Sequence, residues 1–68
     1  MKLGEQLNVI EAKQKVILEA NSQEFDDLPI GKRLIATPYD EKLENFIDVE
    51  ILSICVGPHD SLLIKIWG

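Results

Sequence analysis

The spacing of apolar residues changes along this chain, and each change marks a different element. Leu3, Leu7 and Ile10 recur at helical intervals with Glu5, Gln6, Asn8 and Glu11 between them, which predicts an amphipathic helix over residues 3–13. Gly4 weakens its first turn, and Lys13 and Lys15 suit the negative end of the helix dipole. The apolar run Val16-Ile17-Leu18 reads as a strand over 15–20, closed by the turn signal Asn21-Ser22. In the segment 23–29, Phe25 and Leu28 stand three residues apart and Pro29 stops any helix, so a single helical turn or a pinned loop is expected. After a turn at Pro29-Ile30-Gly31-Lys32, residues 33–37 read as a short edge strand. Thr37 as N-cap, Pro38 as first helical residue and Asp40 near the positive pole then predict a second helix to Ile47, with Leu43, Phe46 and Ile47 as its apolar stripe.

The last twenty residues read as two strands, 49–56 and 62–67, joined by Gly57-Pro58-His59-Asp60-Ser61, a loop made of turn-forming residues. With all five of these in the loop, Val56 faces Leu62, Ile54 faces Ile64 and Leu52 faces Ile66, an aliphatic face suited to the core. The other face then pairs Cys55 with Leu63, Ser53 with Lys65 and Ile51 with Trp67. A four-residue loop would mix Glu50 and Lys65 into an apolar face, so the five-residue register is preferred. The expected fold is a single α+β domain over residues 1–68: a small three- to four-stranded, mainly antiparallel sheet, two helices on one face and a C-terminal β-hairpin. Two helices cannot cover both faces of such a sheet. The second face, too apolar to stand bare, is therefore an expected interface, carried by Ile51, Ser53, Cys55, Leu63, Lys65 and Trp67.

Composition narrows the remaining options. At 68 residues the chain buries a small core, and such scaffolds often add disulfides, a metal or a second copy. Cys55 is the only cysteine, so no internal disulfide is available, and with His59 it cannot complete a four-ligand zinc site. A homodimer is the expectation that survives, and no metal or cofactor is expected. The net charge of −5 argues against contacts to a nucleic-acid backbone, which need clustered Lys and Arg. Met1-Lys2-Leu3-Gly4-Glu5-Gln6 opens no signal-peptide core, and no apolar run reaches the ~18 residues of a membrane span, so a cytoplasmic location is expected.

The chain offers little for catalysis. Cys55 in a strand is parted from His59 by a turn, and His59-Asp60-Ser61 are consecutive and point apart. The acidic pairs Asp26-Asp27, Glu41-Glu44 and Asp48-Glu50 read as solvated charges, and Gly31-Lys32-Arg33 lacks the rest of a phosphate loop. No enzyme is expected.

Met1-Lys2-Leu3 leading into a short helix, Val16-Ile17-Leu18 as the first strand, Asp27-Leu28-Pro29 in the middle and the closing hairpin from Val49 to Trp67 together form a pattern. The chain resembles small uncharacterised proteins of prophages and mobile elements of Gram-positive bacteria. What the resemblance implies is a class: a phage protein that binds a host protein, for example to block a defence nuclease. The expectation is thus an acidic protein-interaction module that inhibits or modulates a host protein through its acidic surface and the Ile51, Leu63 and Trp67 face. The alternative is a homo-oligomer that binds or sequesters a small ligand such as a nucleotide in a pocket between protomers, with Lys32, Arg33 or Lys65 on its anionic group.

Overall fold

The computed structural model describes residues 1–21 and 25–67; the readings placed on Ser22, Gln23 and Glu24 lie outside the described residues. Val16, Ile17 and Leu18 are all buried, a pattern suited to an interior strand, and the sheet is assembled around them. β1 (Val16–Ala20) runs antiparallel to β2 (Arg33–Ala36) on one side and parallel to β4 (Leu62–Ile66) on the other. β4 pairs antiparallel with β3 (Ile51–Val56), giving the order β2-β1-β4-β3. The sheet is therefore mixed, which corrects the expectation of a mainly antiparallel one. Side chains alternate with the same period of two in either pairing, so patterning alone cannot set the direction of strands distant in sequence.

The hairpin register is the five-residue one: Val56 faces Leu62, Cys55 faces Leu63, Ile54 faces Ile64 and Ser53 faces Lys65. Beyond Ser53 a bulge slips the register by one residue, so Ile51, not Leu52, faces Ile66. The expected pairings of Leu52 with Ile66 and of Ile51 with Trp67 are both displaced by that extra residue.

Both helices are shorter than their patterns suggest. α1 (Leu3–Leu7) buries Leu3 and Leu7, and the Glu5 carboxylate accepts the Lys2 N–H at 3.2 Å. Past Leu7 the chain unwinds through turns that close three residues back, Val9 on Gln6 and Ile10 on Leu7, yet Ile10 still packs against the core. Gly4 is a packing position as well as a weak helix former: its N–H donates to the Ile47 carbonyl at 2.9 Å, and a Cβ there would lie 3.1 Å from that oxygen. Residues 37–40 form a turn rather than a first helical turn, with Asp40 N–H donating to Thr37 C=O. Asp40, not Thr37, then caps a 3₁₀ helix, Glu41–Phe46, by accepting the Lys42 N–H at 3.0 Å. With three residues per turn, Leu43 and Phe46 eclipse and bury, while Ile47 rotates off the stripe and stays 43% exposed.

These pieces and the Phe25–Leu28 bridge gather on one face of the sheet. Leu3, Leu7, Leu28, Leu43 and Phe46 join Val16, Leu18, Ile64 and Ile66 in one core, and the rings of Phe25 and Phe46 meet edge to face with centroids 5.2 Å apart. At its N-terminus the chain lies along the outside of residues 49–51, where Lys2 bridges Glu50. The terminal ammonium sits 2.9 Å from the Glu50 carboxylate; that hydrogen bond and charge hold the carboxyl below its usual range and raise the ammonium.

Candidate functional site

The opposite face of the sheet is built from residues that alternate away from the core. Register across the strands sets them in two rows. Ile35, Ile17, Leu63 and Cys55 form an apolar row running across all the strands, and Arg33, Glu19, Lys65 and Ser53 form a polar row beside it. None of these residues belongs to the core cluster on the other side. Ile17 is shielded by lying in an interior strand between Ile35 and Leu63, whereas Ile35 is 55% exposed and Cys55 is open to solvent.

Of the residues expected from the hairpin, Ser53, Cys55, Leu63 and Lys65 come together on this face as two facing pairs. Trp67 follows Lys65 on the same side by alternation and is 53% exposed. Ile51 lies elsewhere: the bulge turns it toward the core, against which it packs half-buried. Lys32 sits exposed at the turn closed by its N–H on the Pro29 carbonyl, and Arg33 stands at the end of the polar row with its Nε 3.0 Å from the Glu19 carboxylate. Sequence reasoning did not reach Ile17, Glu19 and Ile35. Their alternation was visible, but which neighbours they line up with depends on the strand order.

The charge on this face opposes that of the chain. Lys15, one residue before β1 and in phase with Ile17, joins Arg33 and Lys65 against Glu19 alone among the described residues, while the chain as a whole carries −5. The acidic side chains Glu5, Glu11, Asp26, Asp40, Glu41, Glu44, Asp48 and Asp60 lie outside these rows. The sheet face is thus apolar and mildly basic in a chain that is acidic as a whole.

β3 itself is exposed along most of its length. The short helical elements stop before reaching it, so Ile54 and Val56, expected in the core, remain 39% and 83% exposed, and the bulged Leu52 is exposed as well. Ser61, His59 and Cys55 take structural places in the hairpin. The buried Ser61 hydroxyl donates to the Pro58 carbonyl, His59 adopts a left-handed backbone in the loop, and Cys55 lies on the sheet face. A cleft of about 370 Å³ opens between α1 and residues 38–48, lined by Lys2, Glu5, Leu7, Tyr39, Ile47 and Asp48. Its carboxylates are solvent-exposed, and Glu5 is already engaged by the Lys2 backbone.

No family model, curated protein or solved structure matches the chain.

Proposed function

We propose that this protein is a non-enzymatic interaction module that binds a larger protein and blocks or modulates it. The contact is the helix-free face of the sheet. The observation that carries the reading is the apolar row Ile35–Ile17–Leu63–Cys55, which crosses every strand with no helix of the described residues over it. Trp67 and Lys65 at its margin supply the aromatic and cationic contacts that concentrate binding energy at interfaces. The resemblance to prophage and mobile-element proteins makes the target a host protein of the defence class and the host cytoplasm the place of action. The excess of Lys15, Arg33 and Lys65 over Glu19 on this face favours a partner with a negative rim. Sequestration of a nucleotide has less behind it, because Arg33, one of the cations proposed for it, is engaged by Glu19.

Ile35→Glu and Lys65→Glu change exposed or half-exposed positions and preserve the core. A protein recovered with the wild-type chain, purified and re-bound, is expected to show saturable binding that weakens by ~10-fold or more for either variant, with Glu44→Lys nearly neutral. A partner whose affinity ignores Ile35 and Lys65 would remove the sheet face from the proposal. Reconstituted binding in which Glu44→Lys is the damaging change would move the contact to the acidic side.

A further inference from the structure

We propose that β3 pairs with β3 of a second copy, antiparallel about a two-fold axis through Cys55, so that two sheets run on as one. The inference is independent of which partner the sheet face binds.

The backbone shows which groups stand open. Gly57 N–H donates to the Ser61 carbonyl at 2.8 Å, making Gly57 and Ser61 a hydrogen-bonded pair. In an antiparallel ladder such pairs alternate, so Cys55 and Ser53 also bond to β4, and the N–H and C=O of Ile54 and Val56 point outward. The open stretch is bounded at both ends. Ile51 N–H already donates to the Met1 carbonyl at 2.8 Å and Leu3 N–H to the Val49 carbonyl, while Pro58 beyond the other end has no N–H.

That window selects one register. With Cys55 facing the partner's Cys55, Ile54 faces the partner's Val56, and every outward group of these residues finds a mate. Sliding the strands by one pleat in one direction sets Ile54 against the partner's Pro58; sliding them in the other sets Val56 against the partner's Leu52, in the bulge. In the selected register Ile54 and Val56 of both copies cover one another on the helix side. On the bare side, the row Ile35–Ile17–Leu63–Cys55 continues without a break into the partner's Cys55 and Leu63.

Charge favours a copy of this chain as the occupant. Residues 51–57 contain no Lys, Arg, Asp or Glu in a chain of net charge −5, so two copies meet here with little repulsion. The other edge, β2, is guarded in the manner natural sheets use: it has four residues, begins at Arg33 after Lys32, and lies between Pro29 and Pro38.

Sedimentation equilibrium on the full chain tests the pairing. The wild type is expected to dimerise, Val56→Lys to weaken self-association by ~100-fold or more, and Ile35→Lys, far from β3, to leave it within ~3-fold. Val56 is 83% exposed, so its substitution leaves the monomer fold intact, which circular dichroism checks. Directly facing, non-hydrogen-bonded residues place their Cα atoms about 4.5 Å apart, inside the disulfide range. Mild oxidation should therefore cross-link the wild type through Cys55 ~10-fold faster than a Ser53→Cys, Cys55→Ser chain, whose relocated thiol faces the partner's Gly57. A wild type that stays monomeric overturns the proposal, as does a dimer broken by Ile35→Lys but not by Val56→Lys, or a monomer that takes an extended peptide of another protein on β3. Each of those results leaves the binding of a larger protein by the sheet face to be judged on its own.

Discussion

His59 and Asp60 sit side by side in the left-handed region, at φ of 54° and 60°, where a side chain costs energy that glycine avoids. The loop accepts this because it turns the chain in few residues and presents the Asp60 carbonyl to the Gln14 side chain. His59→Gly is expected to raise stability by about 0.5–1 kcal/mol, relief of backbone strain outweighing the added freedom of the unfolded chain. A thermal melt reads this as a rise of several degrees, and an unchanged or lower midpoint would count against it. Gly31, by contrast, takes φ 90° at a turn closed from Lys32 N–H to Pro29 C=O, a role its neighbours announce in the sequence. The left-handed pair at 59–60 is not announced: loop composition marks a turn but does not say which residue must adopt the unusual angle.

Between the strands of the hairpin, the loop is closed by packing as much as by hydrogen bonds. A Cβ on Gly57 would stand 2.6 Å from the Ser61 Oγ, and Ser61 cannot retreat because it is buried and its hydroxyl donates to Pro58. Gly57→Ala is expected to cost about 1–3 kcal/mol, and less when combined with Ser61→Ala, which removes the clashing atom. Equal costs in the two backgrounds, measured by urea unfolding, would refute the coupling. At this scale the hairpin was largely legible. Its loop length followed from keeping Glu50 and Lys65 off the aliphatic face, and four facing pairs follow that register. The bulge at Leu52 was not legible, because Ile51-Leu52 satisfies either alternation equally well. The 3₁₀ geometry of residues 41–46 was hidden for a related reason: Leu43 and Phe46 are three apart, a spacing shared by 3₁₀ and α helices.

For the molecule as a whole, the margin of stability rests on a few large side chains. Phe46 is 1% exposed and supports Phe25 edge to face. Phe46→Ala is expected to cost about 3–5 kcal/mol, against a total of roughly 3–10 kcal/mol for a chain of this size. The urea midpoint should fall sharply at unchanged slope; a shift under ~1 kcal/mol would mean the core redistributes around the loss. The same economy explains the bare sheet face. The helical segments supply enough apolar surface to cover the central strands on one side, and they run out before β3.

By itself the sequence determined where the strands lie, the five-residue hairpin loop with four of its facing pairs, and the buried stripe residues Leu3, Leu7, Leu43 and Phe46, because alternation, turn chemistry and short-range apolar spacing are local properties. It also determined that Ser53, Cys55, Leu63 and Lys65 share a face. Only the tertiary structure decided that β4 lies parallel to β1, which extends that face through Ile17 and Ile35 and gathers Lys15, Arg33 and Lys65 on it. It also decided that β3 is the outer strand beside β4, open beyond Ile51 among the described residues. The physical reason is that contacts between strands far apart in the chain depend on which surfaces bury best together, and periodicity carries no record of that choice.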